Sequence, residues 1–178
     1  MAVQRKSKSN GRIVIISGPI GAGKTAVAKV LAASSPAPAA LIEGDHFWRF
    51  VTKPADGPRH RVFRSIMRSM SLAAVGFARE GYETILDFSM PPPFIAAIKD
   101  RLKDIEFHLA MIRPSLTVCA ARAASRSEGA ILDYAPHRDF YAMFTAEPRH
   151  MIEDDDADAD DIAATIRVGL AKGTFRLR

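Results

Sequence analysis

Eight residues near the start of the chain have the types and spacing to hold a polyphosphate. Gly18-Pro19-Ile20-Gly21-Ala22-Gly23-Lys24-Thr25 reads G-x-x-x-x-G-K-T. Glycines let backbone N–H groups turn inward around phosphate without a Cβ in the way. A helix opening at the end of such a loop adds free donors and a partial positive charge. Lys24 offers a point charge to the β- and γ-phosphates, and Thr25 a hydroxyl to Mg²⁺. The flanks agree. Arg12–Ser17 is a β-branched run suited to a buried parallel strand. Ala26–Ala33 is built of helix formers.

Two aspartates stand where they can meet that loop. Asp45 follows the apolar run Ala39–Glu43, and a phosphotransferase needs a carboxylate to take or orient the acceptor hydroxyl's proton. The same residue suits an N-cap for a short helix starting near Phe47, and one aspartate can do both. Asp87 ends the apolar run Thr84-Ile85-Leu86, the position of a carboxylate that holds Mg²⁺ directly or through its water shell. From the residues alone either Asp45 or Asp87 can be the base. Arg122 and Arg126 are four apart on an expected helix, hence on one face, and can close over a triphosphate during transfer. The segment after them, Ser127–Pro136, reads as a flap that excludes water. Arg61, Arg64 and Arg68 share another helix face, which suits a solvated basic surface or an anionic acceptor. Trp48 and Phe50 suit either core packing or the lining of an acceptor pocket, and Cys119 suits a small packed hydrophobe.

The elements that position these residues alternate between strand and helix. Strands are expected at Arg12–Ser17, Ala39–Glu43, Tyr82–Phe88, Ile105–Ile112 and Arg149–Glu153. Helices are expected at Ala26–Ala33, Arg59–Glu80, Phe94–Lys103, Pro114–Arg126, His137–Glu147 and Ala159–Ala171. The alternation argues for an α/β fold with a parallel sheet covered on both faces by right-handed crossovers. Ligands in such sheets bind beyond the carboxyl ends of the strands. The phosphate loop, Asp45 and Asp87 all lie there.

At 178 residues the chain fits one domain, expected over residues 12–178 behind a basic tail over 1–11, with a lid about 127–137. No apolar run reaches the length of a membrane span, and the start has no apolar signal region. The single cysteine rules out an internal disulfide and points to a cytoplasmic home. Arg5, Lys6, Lys8 and Arg12, in the tail and its junction with the first strand, supply much of the net charge of +5, and Glu153–Asp161 is strongly acidic. That distribution suits a small anionic ligand better than a nucleic-acid duplex.

With these residues placed, the chain resembles the small P-loop kinases of the nucleoside-monophosphate-kinase-like group. These include the gluconate, shikimate and chloramphenicol kinases, with zeta-toxin-like and polynucleotide kinases further off. The resemblance is carried by Gly18–Thr25, Ile42-Glu43-Gly44-Asp45-His46-Phe47, Thr84-Ile85-Leu86-Asp87, the stretch from Phe107 through Arg126, and Ile152-Glu153-Asp154-Asp155. It implies a P-loop NTPase three-layer sandwich with a five-stranded parallel sheet and a short helical lid. It also implies ATP as donor with Mg²⁺, Asp45 as base, and Arg126, with Arg122, on ATP. The catalytic set is then Asp45, Lys24 and Arg126. The cofactor-binding set is Gly18, Pro19, Ile20, Gly21, Ala22, Gly23, Lys24, Thr25, Arg122 and Arg126, with Thr25 and Asp87 on the metal.

The partner expected is a small molecule bearing a hydroxyl: a sugar acid, a metabolite or an antibiotic-like compound. No Asp-x-Asp pair follows the second strand, as it does in shikimate kinases, and Pro91-Pro92-Pro93 matches no substrate signature. The acceptor therefore stays open, as does the choice between monomer and dimer. Two other readings compete: a kinase of nucleotides or nucleic-acid ends, and an ATP-binding switch that transfers nothing.

Overall fold

The computed structural model describes residues 11–54, 56, 59–99 and 104–177. The chain runs β1 (Arg12–Ser17), α1 (Lys24–Ala33), β2 (Ala39–Glu43), a 3₁₀ segment (Gly44–Phe50), α2 (Arg59–Arg79), β3 (Glu83–Asp87) and α3 (Pro92–Lys99). It continues through β4 (Glu106–Ile112), α4 (Leu116–Ala124), a 3₁₀ turn (Ala135–His137), α5 (Arg138–Ala142), a second turn (Pro148–His150), β5 (Met151–Ile152) and α6 (Ala159–Lys172). The five strands form one all-parallel sheet in the order β2-β3-β1-β4-β5.

Strand periodicity explains the three layers. Successive side chains of β1 point to opposite faces, so a continuous apolar strand must be covered on both. Ile13 and Ile15 enter one core with Ile66, Met70, Leu86 and Phe107. Val14 and Ile16 enter the other with Val27, Leu31, Ile85 and Ile166. The long α2 covers the first face, burying Ile66, Met67, Met70, Ala74 and Ala78 at helical spacing. On the second face α1 packs against α6.

Several helices differ from expectation. The helix expected over Pro114–Arg126 is only Leu116–Ala124. The Ser115 hydroxyl caps its start by accepting the Val118 N–H at 3.3 Å. Ser125 ends it, donating its hydroxyl to the Arg122 carbonyl at 3.1 Å. Serine competes with the helix backbone for its hydrogen bonds, and here it stops the helix. Arg126 therefore lies past the helix end and does not share a helical face with Arg122.

The helix expected over His137–Glu147 ends at Ala142, beyond which Phe144 turns into the core. The lid segment 127–134 is loop, and its helical part is the turn Ala135–His137. α3 begins at Pro92, since proline suits the first turn of a helix, and residues 100–103 lie outside those described. The tail expected over 1–11 also lies outside them except for Gly11, whose N–H donates to the Ala78 carbonyl at 2.7 Å. Among the described residues no helix is long and apolar enough to cross a membrane.

A buried ionic knot closes the end of the sheet opposite the phosphate loop. Glu83 opens β3 and is 3% exposed. One of its oxygens accepts from Arg12 Nε at 2.8 Å and the other from Arg167 Nη1 at 2.6 Å. Arg167 also donates to the Leu31 carbonyl at 2.6 Å, so the knot ties β1, β3, α1 and α6. Burial pushes the Glu83 carboxyl up, but Arg167 and Arg12 more than reverse this and hold it below the usual carboxylate range. A depressed carboxyl stabilises the fold above its unfolded-state pKa, and that contribution is lost as pH falls through the folded-state value. Glu83→Gln is expected to cost about 3 kcal/mol at neutral pH, the low end for breaking a buried pair because both guanidiniums still reach water. In urea unfolding the gap to wild type should close as pH falls below the carboxylate range. An equal gap at both pH values would contradict the knot's ionic character.

Candidate active site

The loop between β1 and α1 is shaped by glycine where nothing else fits. Gly23 sits at φ 85° as the N-cap of α1, with no side chain capping the helix. The first-turn N–H groups of α1 are thus left without a side-chain acceptor and can donate to a ligand. Gly21 is at φ 83°, and a Cβ there would lie 2.1 Å from the Cys119 carbonyl oxygen. The loop therefore rests directly on the backbone of α4. The Tyr134 hydroxyl donates to the Ile20 carbonyl at 2.7 Å, anchoring the loop from the lid side. Burial pushes that phenol up to about 12, so it stays a donor.

Lys24 is 8% exposed, and its ammonium donates back to the Pro19 carbonyl at 2.8 Å. Burial lowers its pKa, while the charges of Asp87 and Asp45 pull it back up and Arg126 lowers it further. Asp87 is 5% exposed and accepts the Thr25 hydroxyl at 2.6 Å. Burial raises its pKa, Lys24 and Thr25 oppose this, and Asp45 and Glu43 raise it again. Sheet register explains the convergence. Asp87 pairs with Ile16 on one side and Glu43 on the other, so three strand ends are level. Asp45 follows two residues after Glu43, exposed, in the first turn of the 3₁₀ segment. Lys24, Asp87 and Asp45 thus form one electrostatic centre at the carboxyl rim.

The donor set fits a hard cation only in part. Asp87 and Thr25 put a carboxylate and a hydroxyl side by side, oxygen ligands of the kind Mg²⁺ takes with waters and substrate phosphates. Among the described residues no group of three or more His, Cys, Asp or Glu side chains is placed to hold a metal. A cation here would need further oxygens from a ligand.

The arginines divide. Arg122 lies over the loop: its Nη1 is 3.7 Å from where a Cβ on Gly23 would sit, and its Nη2 donates to the Asp155 carbonyl at 3.4 Å. Arg126 is exposed, but its charge reaches both Lys24 and Tyr134. Arg61, Arg64 and Arg68 are all exposed on the outer side of α2, as a solvated basic face is. Cys119 is fully buried with its thiol pushed up to about 11 by that burial, as suits a packed hydrophobe.

Sequence reasoning missed two supports. Asp155 accepts the Ser115 N–H at 2.6 Å and so docks the acidic loop on the start of α4. Tyr134 was hidden inside a segment read as a flap. A large aromatic in a polar stretch was the signal that one residue of it is anchored.

No family profile matches the sequence, and no curated protein matches it. Solved structures do. The APS kinase of Mycobacterium tuberculosis, in complex with AMPPNP and APS, superposes with a TM-score of 0.72 at 18% identity, covering 91% of this chain and 98% of that one. A sugar kinase from Janibacter sp. gives 0.69 at 18% identity, covering 90% and 95%. A gluconokinase from Sinorhizobium meliloti gives 0.62 at 17%, covering 94% and 95%. The chain therefore has the fold of the P-loop kinases, five parallel strands between two helical layers, as the resemblance implied.

Tyr134→Phe should lower stability by about 1 kcal/mol, the ordinary worth of one hydrogen bond, read by urea unfolding. Unchanged unfolding would mean that the Tyr134–Ile20 bond does not help hold the loop.

Proposed function

We propose that this protein transfers the γ-phosphoryl group of Mg·ATP to a hydroxyl of a small molecule. The observation that carries the reading is a buried Lys24 ammonium flanked by Asp87 and Asp45 at the mouth of a phosphate-shaped loop. Loop N–H groups and the start of α1 would receive the phosphates. Lys24 would exchange the Pro19 carbonyl for β- and γ-phosphate oxygens, gaining a full negative partner for a charge now held out of water. Thr25 and Asp87 would hold Mg²⁺, which when bound neutralises charge on the transferring phosphate.

Asp45 is the better base on geometry. Asp87 is engaged with Thr25 and nearly buried, whereas Asp45 is exposed and so open to an acceptor. In the step itself the acceptor oxygen bonds to the γ-phosphorus as the bond from that phosphorus to the β–γ bridging oxygen breaks. ADP leaves, and the hydroxyl proton passes to Asp45 and then to water. Arg122 and Arg126 would offset charge on the triphosphate, and the lid around Tyr134 would keep water from competing. Arg61, Arg64 and Arg68 are exposed, so a nucleotide or nucleic-acid end stays the alternative acceptor. A single cysteine, which can form no internal disulfide, suits a cytoplasmic setting.

Asp45→Asn should lower acceptor phosphorylation by about a hundredfold or more while leaving ATP affinity within about twofold. The readout is ADP release across sugars, sugar acids, phenicol-like and aminoglycoside-like compounds, nucleosides and nucleotides. Unchanged turnover in Asp45→Asn would remove Asp45 from the mechanism. Tight ATP binding with no product from any acceptor would favour a nucleotide-binding switch.

A further inference from the structure

β4 is seven residues long, yet β5 covers only its last two. A bare strand edge leaves N–H and C=O groups without partners, so something else must fill the rest. Residues 175–177, just past α6, do so as a short antiparallel strap, with Arg176 across from His108. The Leu109 N–H donates to the Phe175 carbonyl at 2.8 Å, and the Leu177 N–H to the Phe107 carbonyl at 2.8 Å. Between the strap and β5, the Leu109 carbonyl accepts from His150 Nδ1 at 3.2 Å.

His108 is fully buried on this edge. Its Nε2 lies 2.6 Å from Glu106 Oε1. An ionised carboxylate only accepts, so Nε2 carries the proton and Nδ1 is a bare acceptor. Nδ1 is buried and, among the described residues, has no partner. A second proton on the ring would therefore sit on a nitrogen with nothing to donate to. The charged and titratable groups around the ring are Glu106 on its own strand, Arg12 on β1, Arg176 on the strap and His150 on the turn before β5. Burial pushes the His108 pKa down, Glu106 opposes this, and Arg12 and Arg176 push it down again, leaving it below the ordinary value.

The strap that closes over this edge is short. Its anchor is the Phe175 ring, which lies so close to α6 that a Cβ on Gly169 would fall 2.2 Å from it. Beyond that and its two backbone bonds, Arg176 reaches Glu106 at 3.6 Å, an ion pair between exposed side chains that is worth little in water. Three residues held in this way open at lower cost than the centre of the sheet.

We propose that residues 175–177 form an acid-released strap: in mildly acidic medium His108 takes a proton from solvent on Nδ1, and the strap lifts from β4 while the rest of the sheet stays paired. The closed form favours neutral His108, so opening gains as pH falls through the ordinary imidazole value near about 6.5. No covalent bond changes, and the device needs no phosphotransfer chemistry.

The test is residue-resolved amide hydrogen exchange on the full chain at about pH 7.5 and about pH 5.5, corrected for the intrinsic pH dependence of exchange. An ordinary imidazole passes from about one-tenth to about nine-tenths charged between these values, so the opening constant should rise about tenfold. The Leu109 and Leu177 amides report it, because they donate across the strap. At both pH values they should exchange faster than the amides of Val14 and Ile15 in the central strand. His108→Phe removes the titrating nitrogens and should leave a change of no more than about twofold. His150→Gln should keep the tenfold rise. A second reading needs no variant: the ¹⁵N shifts of the His108 ring should show the neutral Nε2–H form at the higher pH, with the charged form appearing only in step with lost strap protection.

No rise in strap exchange, a rise that persists in His108→Phe or one that vanishes in His150→Gln overturns the proposal. Strap amides that exchange together with Val14 and Ile15, or a His108 ring that becomes charged while the strap stays protected, overturn it as well.

Discussion

The structure depends on keeping one lysine ammonium out of water beside carboxylates. Removing an ion from water costs several kcal/mol, and only well-placed opposite charge offsets it. Here the offset comes from Asp87 and Asp45, and the ammonium donates one hydrogen bond to the Pro19 carbonyl. Burial and the acidic neighbours raise the Asp87 pKa, while Lys24 and Thr25 oppose this. That arrangement suits a polyanion and a cation. In the proposed reaction those charges would come from a nucleotide and its metal.

Holding such a centre needs a rigid frame, and the frame is built at the other end of the sheet. Glu83 lies at the amino end of β3, and Asp87, four residues on, lies at the carboxyl end. The ionic knot of Glu83 with Arg12 and Arg167 fixes β1 against β3 and both against α6. Register then delivers Ser17, Glu43 and Asp87 to a common rim. Ser17 carries the order one step further. Its hydroxyl donates to the Met90 carbonyl at 2.7 Å and accepts the Met90 N–H at 3.1 Å, pinning the turn after Asp87. The ionic knot thus lies at one end of the strands and the proposed site at the other.

Much of this was legible in the sequence because the signals were local. The glycine spacing of Gly18–Thr25, the β-branched run of β1 and the strand-end positions of Asp45 and Asp87 are read within a few residues, and the structure brings them together. What escaped depends on distant partners or on competition at helix ends. Ser125 stops α4 before Arg126 because a hydroxyl outcompetes the next helical turn, which residue spacing does not reveal. Glu83, Arg12 and Arg167 are up to 155 positions apart in the chain by their numbers, and only the sheet order makes them neighbours. Tyr134 meets Ile20 across 114 positions, so an anchor read as part of a flap. The aromatic run at Phe47–Phe50 was visible, but its exposure was not, since half-buried rings and core rings look alike in sequence.

In the proposed reaction the rim centre receives a nucleotide with its γ-phosphate toward Asp45. A crystal structure of the protein with Mg²⁺ and a non-hydrolysable ATP analogue tests this most directly. It should show Lys24 moved from the Pro19 carbonyl onto β- and γ-phosphate oxygens, Thr25 and Asp87 on the metal side, and the γ-phosphate facing Asp45. A nucleotide bound elsewhere, Lys24 still on Pro19, or a γ-phosphate turned away from Asp45 would contradict it.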